Sequence, residues 1–102
     1  MYGLIGRMIA VSGEREKLIN ILLEQAGNMP GCLSYIVAED PANDDEIWVT
    51  EVWESQAAHQ ASLGLPAVQA AIGRGRYLID GFGERYETVP VGGHGLIISG
   101  QG

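Results

Sequence analysis

The stretch Ile47–Glu54, reading IWVTEVWE, constrains the fold of this chain more than any other. β-branched and aromatic residues dominate it and an Asp/Pro/Asn turn cluster precedes it, a pattern that predicts a strand. Side chains alternate along a strand. Ile47, Val49, Glu51 and Trp53 therefore share one face, and Trp48, Thr50, Val52 and Glu54 share the other. Neither face is polar throughout, whereas a strand with one side in water reads apolar in and polar out. This one is expected to be covered on both sides. Helices of the same chain supply one cover. With 102 residues, enough for one modest core, the chain has no elements left for another sheet, so the second cover is expected to be a second copy.

The flanking segments read in order. Tyr2–Val11 predicts a first strand in which Leu4, Gly6, Met8 and Ala10 alternate with Ile5, Arg7, Ile9 and Val11. Arg7, its one charge, fits either a rim charge reaching solvent or a pocket cation. Ser12 is the expected N-cap of a helix, with Glu14 and Glu16 near its positive end. Leu18, Ile21, Leu22, Gln25, Ala26 and Met29 form the helical stripe, and Gly27, Pro30 and Gly31 end it. Cys32–Glu39 predicts a second strand. Cys32 reads as a small core residue, and Tyr35 either points into a pocket or only packs. Asp40–Asp45 is turn chemistry without a calcium-loop pattern, so strands two and three predict a hairpin.

After the organising strand, Ser55 caps a short helix whose small residues Ala57, Ala58, Ala61 and Ser62 permit close approach to a sheet. Gly64 breaks it. Pro66 starts another, with Val68, Ala71 and Ile72 as its stripe. Leu78–Phe82 reads as a connector and Gly83–Val89 as a fourth strand closed by Pro90. The order β-α-β-β-α-β, with right-handed crossovers, predicts an α+β, ferredoxin-like sheet with helices on one face. Two such sheets facing each other would form a dimeric α+β barrel. Residues 1–90 form the expected domain. The tail 91–102, with His94 among glycines and an apolar Leu96-Ile97-Ile98, is expected to pack on the partner subunit, as a short added strand.

Composition removes several function classes. The net charge is −7 with no basic cluster, which disfavours nucleic acid and anionic membranes as partners. No 18-residue apolar run predicts a transmembrane helix. The start lacks a signal-peptide pattern and Cys32 is the lone cysteine, so the expected location is cytoplasmic.

Pro30-Gly31-Cys32, then Glu51-Val52-Trp53-Glu54-Ser55 leading into Ala57-Ala58-His59, resembles the antibiotic biosynthesis monooxygenase family over nearly all of residues 1–89. The resemblance implies a dimeric α+β barrel and a cofactor-independent monooxygenase that oxidises a small quinol, phenol or anthrone with O2, without metal or flavin. Such chemistry requires a base to make the substrate anion, a donor for developing oxyanion charge, and a dry cavity. The sequence agrees in having no GxGxxG after a strand and no His/carboxylate metal triad at ligand spacing.

The same resemblance suggests roles. Trp53 matches a pocket tryptophan suited to stacking on a flat substrate. His59 matches a pocket tyrosine, and an imidazole titrates near neutral pH. Arg74 lies about one residue from a family arginine that binds the substrate oxygen, which leaves Arg76 as the other choice. Glu51 could orient His59 or pair with an arginine. Tyr35, Val49, Phe82 and His94 complete the expected substrate-binding set. Each also has a structural reading: Trp53 as core, His59 as a helix residue bonded to a carbonyl, Arg74 as a helix-end cation, Glu51 as an ion-pair partner, His94 as tail.

The pattern departs from the family where a common histidine is replaced by Ser62. Gly6 or Arg7 stands where the haem-degrading branch needs asparagine, which argues against haem cleavage. A non-catalytic small-molecule-binding dimer, or a cofactor-free isomerase or cyclase, would fit the same fold. A Cys32 thiol peroxidase fits least, since no resolving cysteine or activating cation is near in sequence.

Overall fold

A computed structural model of the protein describes residues 1–96. Four strands, β1 (Tyr2–Ala10), β2 (Cys32–Glu39), β3 (Glu46–Trp53) and β4 (Ile79–Thr88), alternate with the helices α1 (Arg15–Leu23), α2 (Gln56–Ser62) and α3 (Pro66–Gly75). The sheet order is β2-β3-β1-β4, and all three pairings are antiparallel. This is the α+β, ferredoxin-like arrangement that the element order predicts. None of the described helices is long and apolar enough to cross a membrane.

The organising strand sits one place in from the edge, between β1 and β2. Its first face behaves as the alternation requires: Ile47, Val49 and Trp53 are buried, and Glu51 is half-buried. Leu4, Gly6 and Met8 of β1 stand opposite Glu51, Val49 and Ile47, while Tyr35 and Val37 of β2 stand opposite Glu51 and Val49. Ile47 and Val49 share a buried core with Leu18 of α1, and Met8, Tyr35 and Val37 pack against it. The other face of β3, with Trp48, Thr50 and Val52, is half-buried although no helix among the described residues lies over it.

Three local expectations are corrected. Ser12 is not the cap of α1. The chain makes a tight turn at Ser12-Gly13 first, with Glu14 N–H donating to the Val11 carbonyl at 2.9 Å, and the N-cap is Glu14 with no side-chain bond. Residues 24–27 form tight turns instead of the end of α1, because Ala26 and Asn28 N–H bond three residues back, to Leu23 and Gln25. The fourth strand begins at Ile79, so most of the predicted connector is sheet. Met8, Ile9 and Ala10 of β1 pair with Phe82, Gly81 and Ile79, and this pairing overrides the low strand preference of the glycines. Only Arg76–Leu78 remains as a connecting 3₁₀ turn.

Other expectations hold. Ser55 Oγ accepts from Ala58 N–H at 3.1 Å and starts α2. The acidic hairpin is closed by its own side chains: Asp40 accepts from Ala42 N–H at 2.8 Å and from the Trp48 indole at 3.1 Å. Arg7 departs from both of its readings: it is neither a solvent-reaching rim charge nor in the main cavity. It pairs with Glu46 and Glu84, on the face away from the helices. Of the expected tail strand, Ile97 and Ile98 lie outside the described residues.

Candidate active site

A cavity of about 770 Å³ lies between the helix-facing side of the sheet and the helices. Leu18, Ile21 and Leu22 of α1, Val68, Ala71 and Ile72 of α3, and Met8 of β1 make it mainly apolar. The helical stripes predicted from the sequence form its roof. The tight turns after Leu23 keep Gln25 and Met29 on its wall although the helix has already ended.

Polar chemistry enters from β3 and α2. Glu51 and Trp53, two residues apart on one strand face, both reach the cavity. The Trp53 indole N–H donates to Glu51 Oε1 at 3.0 Å, which satisfies a ring nitrogen that is otherwise cut off from water, since Trp53 is 1% exposed. Glu51 therefore neither holds His59 nor pairs with an arginine among the described residues. His59 is set one turn into α2 by the Ser55 cap and lies edge-on to Trp53, with ring centroids 5.3 Å apart. Tyr2 flanks the imidazole on another side at 5.7 Å. Ser62 Oγ donates to the His59 carbonyl at 2.6 Å, so the serine in place of the family's usual histidine bonds to backbone.

Tyr35 stands directly across from Glu51 on β2. Burial pushes its phenol above the usual tyrosine range, and the charge of Glu51 and the neighbouring Cys32 add to the effect. Burial, again helped by Glu51, also raises the Cys32 thiol, which holds it in the unreactive protonated form.

The other expected site residues divide. Arg76 and Phe82 line the cavity, Phe82 at 70% exposure. Val49 lines a smaller hollow of about 200 Å³ that shares Tyr35, Glu51 and Phe82 with the larger one. Arg74 lies outside the cavity and makes a two-pronged ion pair with Glu24, at 2.9 and 2.5 Å, joining the ends of α1 and α3. His94 is exposed in the turn after β4 and does not line the cavity. Two neighbours escape the sequence reading. Asp80 lines the cavity but fell in the predicted connector. Tyr2 was not singled out, although its alternation with Leu4 places it on the same face. Among the described residues, no group of three or more His, Cys, Asp or Glu is placed to hold a metal ion.

A four-stranded antiparallel sheet, helices on one face, and a mainly apolar cavity beneath them define a small ferredoxin-like domain with one principal candidate site. The model of the antibiotic biosynthesis monooxygenase family matches residues 1–74, and the chain belongs to that family. A crystal structure from Chloroflexus aurantiacus J-10-fl, provisionally described as an antibiotic biosynthesis monooxygenase, is 61% identical, with a TM-score of 0.90 over 93% of this chain and 97% of that one. One from Deinococcus radiodurans, with the same provisional description, is 26% identical, with a TM-score of 0.75 over 91% of this chain and 95% of that one. No protein with a curated description matches the chain.

Proposed function

We propose that the protein is a cofactor-independent monooxygenase that oxidises a small quinol, phenol or anthrone-type aromatic with O2. The observation that carries this reading is the convergence of His59, Glu51 and Trp53 on one apolar cavity of about 770 Å³. A flat substrate fits against the Trp53 edge and the aliphatic side chains of α1 and α3. His59 takes the substrate hydroxyl proton. The resulting anion yields an electron to O2 far more readily than the neutral phenol. Radical recombination forms a carbon–oxygen bond to the ring. Loss of water then leaves a quinone, with one oxygen atom on the ring and the other in the water. The substrate supplies all the electrons. The apolar roof keeps bulk water from the intermediates, and Glu51, fixed by the Trp53 indole, offers its second oxygen to a substrate hydroxyl.

Oxygen consumption with a panel of hydroquinones and anthrones tests the proposal. Purified protein is expected to consume O2 and form quinone, and His59→Ala to lower kcat by about tenfold or more. Ligands that raise the melting temperature without any O2 uptake would replace catalysis with binding alone. Turnover that persists without O2 would point to an isomerase or cyclase.

A further inference from the structure

The chain has six Lys and Arg residues against thirteen Asp and Glu. With acids in twofold excess, a surface cation readily finds a partner. Five of the six do: Arg7 with Glu46 and Glu84, Arg15 with Glu39, Lys17 with Glu14, Arg74 with Glu24, and Arg85 with Glu87. Arg76 alone has no acidic partner among the described residues, and it lines the cavity. Its contact is with the face of Tyr77, at 5.7 Å from the ring centre, which steadies the guanidinium without using its hydrogen-bonding edge. It sits in the 3₁₀ turn that joins α3 to β4. Arg76 is exposed, so it belongs to the rim and not the depth of the cavity.

We infer that Arg76 is a specificity residue that holds an anionic substituent, a carboxylate or a group of similar shape, on the ligand of this cavity. A protein of net charge −7 repels anions at long range, and Glu51 and Asp80 add negative charge to the cavity wall. A neutral quinol needs no cation at the rim. An aromatic acid does, and a guanidinium with its donors unspent matches a carboxylate in two parallel hydrogen bonds. The ligand then lies with its ring against the apolar wall, its hydroxyl toward His59 and Glu51, and its acidic group outward at Arg76. The inference rests on the reading of this cavity as the substrate site and narrows that substrate to hydroxylated aromatic acids.

Calorimetric titration under anaerobic conditions tests it with gentisate and its neutral amide, gentisamide, which differ in charge but hardly in size. Gentisate is expected to bind about three- to tenfold more tightly, as one partly exposed charge-assisted contact allows. Added salt is expected to narrow the gap. Arg76→Gln should abolish the preference, while Lys17→Gln, which removes the same charge away from the cavity, should leave it. Equal binding of the two compounds by the unaltered protein, no binding of either, or a preference that survives Arg76→Gln would each overturn the inference. Should Arg76→Gln fail to fold, the salt dependence of the unaltered protein decides: a gap insensitive to salt overturns it. Oxygen uptake is measured separately, so gentisate held by Arg76 but never oxidised would refute the oxygenase and leave this inference standing.

Discussion

At the scale of single residues, Tyr35 and Glu51 show how a strand pair tunes a site. They face each other across β2 and β3, and burial followed by the Glu51 charge holds the Tyr35 proton more tightly in the folded protein than in the unfolded chain. A phenol with a raised folded-state pKa leaves stability intact below about pH 10, where the unfolded tyrosine ionises, and reduces it progressively above that. Tyr35→Phe removes the ionisable group. Its melting temperature is expected to fall less between pH 8 and about pH 11 than that of the unaltered protein, and equal falls in thermal scans would refute the coupling. That Glu51 and Trp53 share a face was legible from alternation along β3, while the resemblance, not the alternation, pointed that face at a pocket. The choice between Arg74 and Arg76 was not. Residues two apart on a helix diverge, and these two flank the buried stripe of Val68, Ala71 and Gly75. The sequence shows a stripe of Val68, Ala71 and Ile72, but not that Gly75 takes the buried place nor which flank meets the cavity.

At the scale of elements, two glycines at helix contacts play opposite parts. Gly31 has a φ of +80°, and a Cβ there would lie 2.7 Å from the Ala58 Cβ. The turn into β2 and the docking of α2, which carries His59, both depend on this missing side chain. Gly31→Ala is expected to destabilise the fold by about 1–3 kcal/mol. Gly75 is helical, and a Cβ there would meet Leu18 and Ile21 at ordinary contact distances of 3.5 and 3.6 Å. Gly75→Ala is therefore expected to stabilise by about 0.5–1 kcal/mol. Urea unfolding separates the two, and a common sign would refute the distinction. Pro30-Gly31 was legible as a turn, and the small residues of α2 as a close-packing surface. The start of β4 was hidden because its glycines score poorly as strand when read alone. The Ser12 cap failed because Gly13, with a φ of +81°, turns the chain before α1 can begin.

At the scale of the whole molecule, the sheet has one face under helices and one that no helix among the described residues covers. On the open face a row crosses all four strands at one level: Ile36 opposite Thr50, Thr50 opposite Ile5, and Ile5 opposite Tyr86. Ile36 and Tyr86 are 56% and 54% exposed. A row this apolar across the middle of a sheet would be unusual facing water. We propose that a second copy covers it, sheet against sheet, and that the segment 91–96, exposed at Val91, runs onto the partner. The mixed pattern of Ile47–Glu54 already called for two covers, and only the helical one could be assigned within the chain. Ile5→Lys places a charge at the centre of the row but leaves the helix-facing core untouched, since Ile5 points away from Leu4 and Met8. Sedimentation at micromolar concentration is expected to give twice the chain mass for the unaltered protein and the single-chain mass for Ile5→Lys, with the helix and strand signals of circular dichroism retained. A stable single copy of the unaltered protein would refute the pairing. Loss of fold in Ile5→Lys would mean that this face supports the subunit itself, and the same experiment on Ile36→Lys, at the less constrained edge of the row, would then decide between the two.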